Sequence, residues 1–302
     1  MYIKNWIKKG NIFNLHRAQL PVVDIINTQF KIYFSNRNKL GKSFPMSVIF
    51  DAESKKILGK PIKLDLELGK PGSFDWSGIM PTDIVTTDVG SKYLYYIGWS
   101  RRIDVPYHNN LGLAVSYDKG ENWEKYSNGP IFHTNNVETG YIGTVDILIE
   151  DGLWKMWYLS CRDWFEHEGV MEPIYDIKYA TSKNGINWIP SNKICIPLIN
   201  DEGGISAARV IKKDDLYHMW FSVRNKINYR TNRTDSYRIK KATSNDGVNW
   251  IRETQNEIEP SDDYWENFMV CYPDIIKYKK QYYMFYNGNG FGESGFGYAE
   301  LE

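Results

Sequence analysis

A turn sequence recurs along the chain, and its tail stands alone near the N-terminus. It reads SNDGVNWI at Ser244 to Ile251, SKNGINWI at Ser182 to Ile189 and, with one inserted residue, SYDKGENW at Ser116 to Trp123. At Asn5 to Ile7 only NWI is left, with no turn before it. A repeat that begins and ends in mid-unit closes a ring when its two ends pair, and few folds satisfy that condition.

Alignment on the turn gives a period of about 63 residues. Unit three carries DILIE from Asp146, WKMWYLS from Trp154, YDIKYATS from Tyr175 and a fourth strand entered at Trp188. Unit four repeats it with RVIKK from Arg209, YHMWFS from Tyr217 and YRIKKATS from Tyr237; unit two has DIVTT from Asp83, YLYYIGW from Tyr93 and LGLAVS from Leu111. Unit one is more degenerate, with VVDII near Val22, FKIYFS from Phe30 and MSVIF from Met46. Unit five offers DIIKY from Asp274, YYMFYN from Tyr282 and GFGYAEL from Gly295, but no fourth strand. The surplus NWI supplies it. The expectation is an all-β, single-domain, five-bladed β-propeller with blades at about 17–68, 79–130, 141–198, 203–258 and 268–301, the last closed by residues 2–8. Closure removes the open edge that a strand array would otherwise expose.

Lys plus Arg and Asp plus Glu both number 37, so no global field draws in nucleic acid or an anionic membrane, and neither is an expected partner. Charge selectivity must be local. Cys161, Cys195 and Cys271 lack CxxC spacing and read as buried thiols. The five histidines show no metal-ligand spacing, and no metal or cofactor is expected. Gly290 to Gly295 matches GxGxxG but leads into a strand, which makes it a glycine-rich loop. The opening MYIKNWIKKG has no apolar run of signal-peptide length, and the expectation is a cytoplasmic protein. Oligomeric state is not legible.

Strand direction alternates within a unit. The starts of first strands and the loops between second and third strands therefore share one face, and the repeated turns occupy the other. In those turns Gly takes the positive φ and Asp or Asn closes a side-chain turn, which is structural work. On the opposite face, second strands run out into Arg37, Arg101, Arg162 and Arg224, and Asn289 follows the fifth. First strands bring Asp83, Asp146, Arg209 and Asp274, while unit one offers His16 and Arg17. The segments Cys161 to Asp176 and Arg224 to Ser236 read as long loops on this face, and Trp164 could stack on a sugar ring. Guanidinium forks suit carboxylate or phosphate, so the expected partner is an anionic ligand, an acidic sugar or a sugar nucleotide.

The combination of YAxSxxGxNW, MWYxS or MWFSxR and the closing YMFYNGNGFGxxGFGYA resembles the five-bladed propeller glycosidase superfamily of arabinanases, β-xylosidases, invertases and levansucrases. It is most similar to the glycosidase-like proteins of bacterial surface-polysaccharide biosynthesis. The resemblance implies carboxylates near the axis as base or nucleophile and as acid. By position it points to Asp83, Asp146 and Glu202. Two departures stand out: unit one presents His16 and Arg17 where the superfamily places an aspartate, and Glu202 is several residues early, with Glu138 and Glu266 in similar linkers. The expected function is cleavage or transfer of a glycosyl group on an anionic or nucleotide-linked sugar. The alternatives are a non-catalytic carbohydrate-binding propeller and a glycosyltransferase or tailoring enzyme using a sugar nucleotide.

Overall fold

The structure is a computed structural model that describes residues 5–302. Its strands pair in antiparallel runs of four. Unit one holds Ala18–Ile26, Gln29–Arg37, Ser43–Asp51 and Lys56–Lys63. Unit two holds Gly78–Thr86, Lys92–Arg101, Tyr107–Ser116 and the short Glu124–Lys125. Tyr141–Glu150, Leu153–His167, Val170–Ser182 and Trp188–Ile196 form unit three. Unit four comprises Glu202–Lys213, Leu216–Asn225, Arg238–Ser244 and Ile251–Ile258. The last run takes Cys271–Tyr278, Gln281–Asn287 and Phe296–Leu301, and its fourth member is Trp6–Phe13, with Trp6 opposite Leu301. Of the predicted closing segment 2–8, residues 2–4 lie outside the described residues. The result is a nearly all-β, propeller-like fold. No helix among the described residues is long and apolar enough to cross a membrane.

Local chemistry sets these hairpins. Asp151-Gly152 and Asp214-Asp215 take positive φ at both positions, as a two-residue connection between right-twisted strands requires. The repeated turn is a hydrogen-bonded knot. Ser244 Oγ donates to Asp246 Oδ1 (2.9 Å) and accepts the Gly247 N–H (2.9 Å), while Asp246 Oδ1 also accepts the Asn249 N–H (2.8 Å). Ser182, Asn184 and Asn187 repeat the pattern, and so do Ser116, Asp118 and Asn122.

Each knot is also fastened to the unit before it. The Tyr95 hydroxyl donates to the Gly185 carbonyl (2.8 Å), and Trp157 Nε1 donates to that of Gly247 (2.7 Å). The repeated tryptophan meets the preceding unit's second-strand aromatic edge-on: Trp123 with Tyr33, Trp188 with Tyr95, Trp250 with Trp157 and Trp6 with Trp220. Trp6 thus occupies the position that its sequence motif assigns to it. A cluster in which Phe30, Phe34 and Phe50 pack on Tyr283, Phe285 and Tyr298 joins the fifth unit to the first. All three cysteines are unpaired and buried.

One expectation fails. Cys161 to Asp176 is not a loop: the second and third strands of unit three continue through it as a hairpin to His167 and Val170. Trp164 lies opposite Pro173 and Phe165 opposite Glu172 across the ladder, and Trp164 packs on Tyr107 and Tyr141.

Candidate functional site

Every first strand breaks register near the same end. The shifts fall between Gln19 and Val22, Pro81 and Asp83, Ile142 and Val145, Ser206 and Arg209, and Cys271 and Asp274. At three of these bulges a non-glycine residue has positive φ: Leu20 (56°), Ala207 (48°) and Tyr272 (57°). Such backbone is costly, and bulges of this kind re-aim side chains beside working sites.

The bulges surround a cavity of about 490 Å³ opposite the repeated turns. First strands contribute Gln19, Leu20, Met80, Tyr141, Thr144, Ser206 and Tyr272; second strands contribute Arg37, Trp99 and Arg101; third strands contribute Tyr107, Asn109 and Tyr175. Arg17, Tyr229, Arg230, Tyr237 and Phe291 complete the wall. No Asp or Glu is among the lining residues.

The charge is therefore one-sided. Arg37 stacks over Trp99 (5.1 Å), and its Nε is buried with no hydrogen-bond partner. Burial, and after it the neighbouring charges of Arg17 and Arg101, push the Arg37 guanidinium below its usual range. Arg101 donates to the Leu40 carbonyl (2.9 Å). Arg230 differs, because it is paired with the buried Glu172, which also accepts from the Tyr229 hydroxyl (2.6 Å). The wall also carries tyrosines: the Tyr175 and Tyr237 hydroxyls are hydrogen-bonded to each other, and the Tyr107 and Tyr141 hydroxyls lie 3.4 Å apart.

Of the residues expected from sequence, the cavity gathers Arg17, Arg37 and Arg101. The others have different surroundings. Asp83, Asp146 and Asp274 sit just past the bulges, and each reaches into the next unit. Asp83 accepts the Ile147 N–H (2.7 Å), Asp146 that of Val210 (2.9 Å) and Asp274 that of Val23 (2.6 Å). Arg209 stands at the equivalent place in unit four. It pairs with Asp274 (2.7 Å) and Asp146 (3.4 Å) and donates to the carbonyls of Val145 (2.8 Å) and Thr82. Burial raises all three carboxyls, Asp83 most clearly because Asp146 adds its like charge and Arg209 only partly offsets it.

Glu202 belongs to another repeated set. It accepts both forks of Arg252 (2.8 and 2.6 Å) from the fourth strand. Glu138 likewise takes Tyr158 (2.9 Å) and Lys178 (2.8 Å), Glu266 takes Tyr286 (2.8 Å) and Lys8 (3.2 Å), and Asp75 takes Lys125 (2.5 Å). These acids pin linkers to their own units.

Arg224 is buried and donates to the Pro173 (2.5 Å) and Asn225 (2.9 Å) carbonyls beneath Tyr175 and Tyr229. Arg162 is half-exposed and lies 3.3 Å from Asp176. Trp164 backs Tyr107 and Tyr141 from outside (5.5 and 5.7 Å). His16 is exposed, 3.1 Å from the Glu293 carbonyl, and Asn289 caps the Phe268 and Met269 N–H groups. The four strand-end arginines thus do not share one environment. Cross-strand pairing puts Cys161 opposite Tyr175 and Arg224 next to Val223, which faces Arg238; Arg224 therefore matches Cys161, and Arg162 is one residue out of phase. The wall tyrosines were the missed signal: Tyr175 and Tyr237 open YDIKYATS and YRIKKATS at the same repeat position.

No family model matches the chain. Its fold is similar to that of a glycosyl hydrolase from Bacteroides ovatus (TM-score 0.72, 16% identity, covering 95% of this chain and 84% of the other). A thermostable family-43 glycoside hydrolase gives TM-score 0.68 at 15% identity, covering 94% and 88%. A structure from the GH130 family of mannoside phosphorylases, which contains glycoside hydrolases that target beta-1,2 mannosidic linkages in Candida mannan, gives 0.71 at 15%, covering 95% and 84%. The likeness to the propeller glycosidase superfamily thus holds at the level of fold. Two Mycobacterium tuberculosis proteins, Uncharacterized protein MT1551 (strain CDC 1551 / Oshkosh) and Uncharacterized protein Rv1502 (strain ATCC 25618 / H37Rv), are each 32% identical over 309 residues, spanning 98% of this chain and 99% of their own. At that identity over nearly the whole of both chains, the chain belongs to one family with these two Mycobacterium tuberculosis proteins.

Proposed function

We propose that the protein is a carbohydrate-active propeller whose cavity takes an anionic sugar, with Arg17, Arg37 and Arg101 on the anion and Trp99 or Tyr107 against the ring. The observation that carries this is three guanidiniums without an acid partner, beside a fourth, Arg230, that Glu172 holds, in a wall that itself contains no Asp or Glu. Guanidiniums bind carboxylate and phosphate in a fork, and a desolvated one without a counter-charge gains most from such a ligand. The five runs of strands are read as five blades closed by the N-terminal strand, with the boundaries expected from sequence. Bulges and loops from every blade then converge on the cavity.

Hydrolysis by paired carboxylates needs two acids roughly 5 to 10 Å apart on either side of the sugar. Asp83 and Asp146 are engaged between units and Glu202 is clamped by Arg252, so we assign all three to holding the fold. Transfer from a phosphate-activated donor has a different requirement. Its leaving group needs positive charge rather than a proton, and arginines supply that. A nucleotide-linked sugar used in surface-polysaccharide assembly is therefore the preferred ligand, and simple binding of an acidic sugar is the second reading.

Thermal-shift titration tests this with UDP-glucuronate, free glucuronate and a neutral trisaccharide such as maltotriose. A ligand at a hundred times its Kd adds about 2.7 kcal/mol of stability. Stabilisation by the two anionic probes and not by maltotriose is expected. A response to maltotriose alone would overturn the proposal.

A further inference from the structure

The rim of the cavity between units one and two combines exposed apolar residues with a group of cations. Two hairpin connections meet there, residues 38–42 and 102–106, tied by the Arg101 guanidinium on the Leu40 carbonyl at 2.9 Å. At their tips Leu40 is 75% exposed and Ile103 fully exposed. Trp76, 37% exposed, flanks them with the Lys42 ammonium 3.2 Å from its ring centre. Isolated exposed aliphatic residues need no explanation. Leu40 and Ile103 top two connections that Arg101 joins, Trp76 lies against Lys42 of the first, and the cations there are Lys39, Lys42, Arg101 and Arg102, against the single acid Asp104 in the two connections. In a chain whose total charges balance at 37 each, this is a local excess of positive charge around an apolar tip.

We propose that this rim docks on an anionic lipid bilayer, with Leu40, Ile103 and Trp76 entering the interface and Lys39, Lys42 and Arg102 lying on the headgroups. Charge complementarity selects this occupant. Aliphatic tips with an interfacial tryptophan and a basic collar are what such a surface binds, each cation near it contributing a roughly five-fold gain in partition. A water-soluble protein partner would not require the collar to be of one sign. Gly41 and Pro106 belong both to these connections and to the cavity wall, so docking turns the cavity mouth toward the membrane. The inference does not depend on what the cavity binds.

Co-sedimentation of the full chain with phosphatidylglycerol and with phosphatidylcholine vesicles tests it. Binding to phosphatidylglycerol at 0.1 M salt is expected, falling steeply toward 1 M as the screening length shortens from about 10 to about 3 Å. Leu40→Asp with Ile103→Asp should lower the partition at least ten-fold, and Lys39→Glu with Arg102→Glu by a similar factor, with unchanged melting temperature because all four side chains are exposed. Three results would each overturn the proposal: no binding to phosphatidylglycerol at low salt, equal binding to both vesicle types, or wild-type binding by the Leu40 and Ile103 variant. A shift of that variant from dimer to monomer in sedimentation velocity, without vesicle binding by the parent chain, would assign the rim to a second copy instead.

Discussion

Two clusters of charge lie along the axis, one just past the first-strand bulges and one in the cavity before them. In the first, Asp83, Asp146 and Asp274 hold backbone N–H groups of the next unit, and Arg209 joins two of them. In the second, Arg17, Arg37 and Arg101 face a void with no acid in its wall. The first cluster is built on first strands, the second on the ends of second strands and on the segment just ahead of Ala18. The acids are closed off by their neighbours and so contribute to stability, while the arginines are left open and so are available to a ligand. Charge type alone would have suggested the reverse in a glycosidase-like fold.

The largest effect should come from opening the closed cluster. Arg209→Met leaves buried carboxylates uncompensated and should cost about 3–5 kcal/mol in urea unfolding at pH 7. Part of that loss should return on acidification, as the carboxyls take up protons instead of remaining charged. A variant as stable as the parent at pH 7 would show that Arg209 is not what holds the units together.

Next in size is the open cluster. Arg37→Ala should weaken binding of UDP-glucuronate about 10- to 100-fold in calorimetric titration, the range for a lost charge-assisted hydrogen bond. Its melting temperature should hold or rise, because Arg17 and Arg101 lose a like-charged neighbour. A fall in stability comparable to that of Arg209→Met would erase the distinction between the two clusters.

A smaller effect is a pH slope. Burial, which Arg162 and Lys178 only partly offset, raises the Asp176 carboxyl to about 6 from an ordinary 3.8. Because the folded chain holds this proton more tightly than the unfolded chain, its contribution is complete below about pH 4 and is lost as pH rises through 6. Asp176→Asn should flatten that part of the curve of urea midpoint against pH. The repeated turn has the opposite sign: hydrogen bonds from Asn122 and Ser116 lower Asp118 to about 2, so its contribution is present above the ordinary 3.8 and is lost toward pH 2. Smallest of all, Asp246→Ala should cost at most about 1 kcal/mol and leave ligand binding unchanged, since its bonds stay within an exposed turn.

Most of the strand order could be read from the sequence because the turn carries its own marker. Ser, Asp or Asn, Gly and Trp are each required by a specific contact, so the motif survives even where the strands between diverge, and Trp6 keeps the contact of its counterparts. The site was less legible. Arg162 and Arg224 look equivalent when strand ends are counted, but one residue changes the face of a strand, and the structure separates an exposed side chain from a buried one. Asp83 and Asp146 carry the residue type that glycoside chemistry needs, and only their N–H partners in the next unit reveal another use. The tyrosines of the wall come from four units, and no local spacing links Tyr107 to Tyr272.

The contact of Trp6 with Trp220, together with the pairing of Trp6–Phe13 on Phe296–Leu301, has a kinetic side. The segment made earlier in synthesis has to wait for the strand that it pairs with, and until then the last run of strands lacks its fourth member and keeps an unpaired edge. Closing so long a loop costs entropy before any contact compensates it, which favours slow late folding. Shortening the chain ahead of Phe13, or fusing bulk onto it, should therefore reduce the yield of soluble protein far more than its place at one end of the chain suggests.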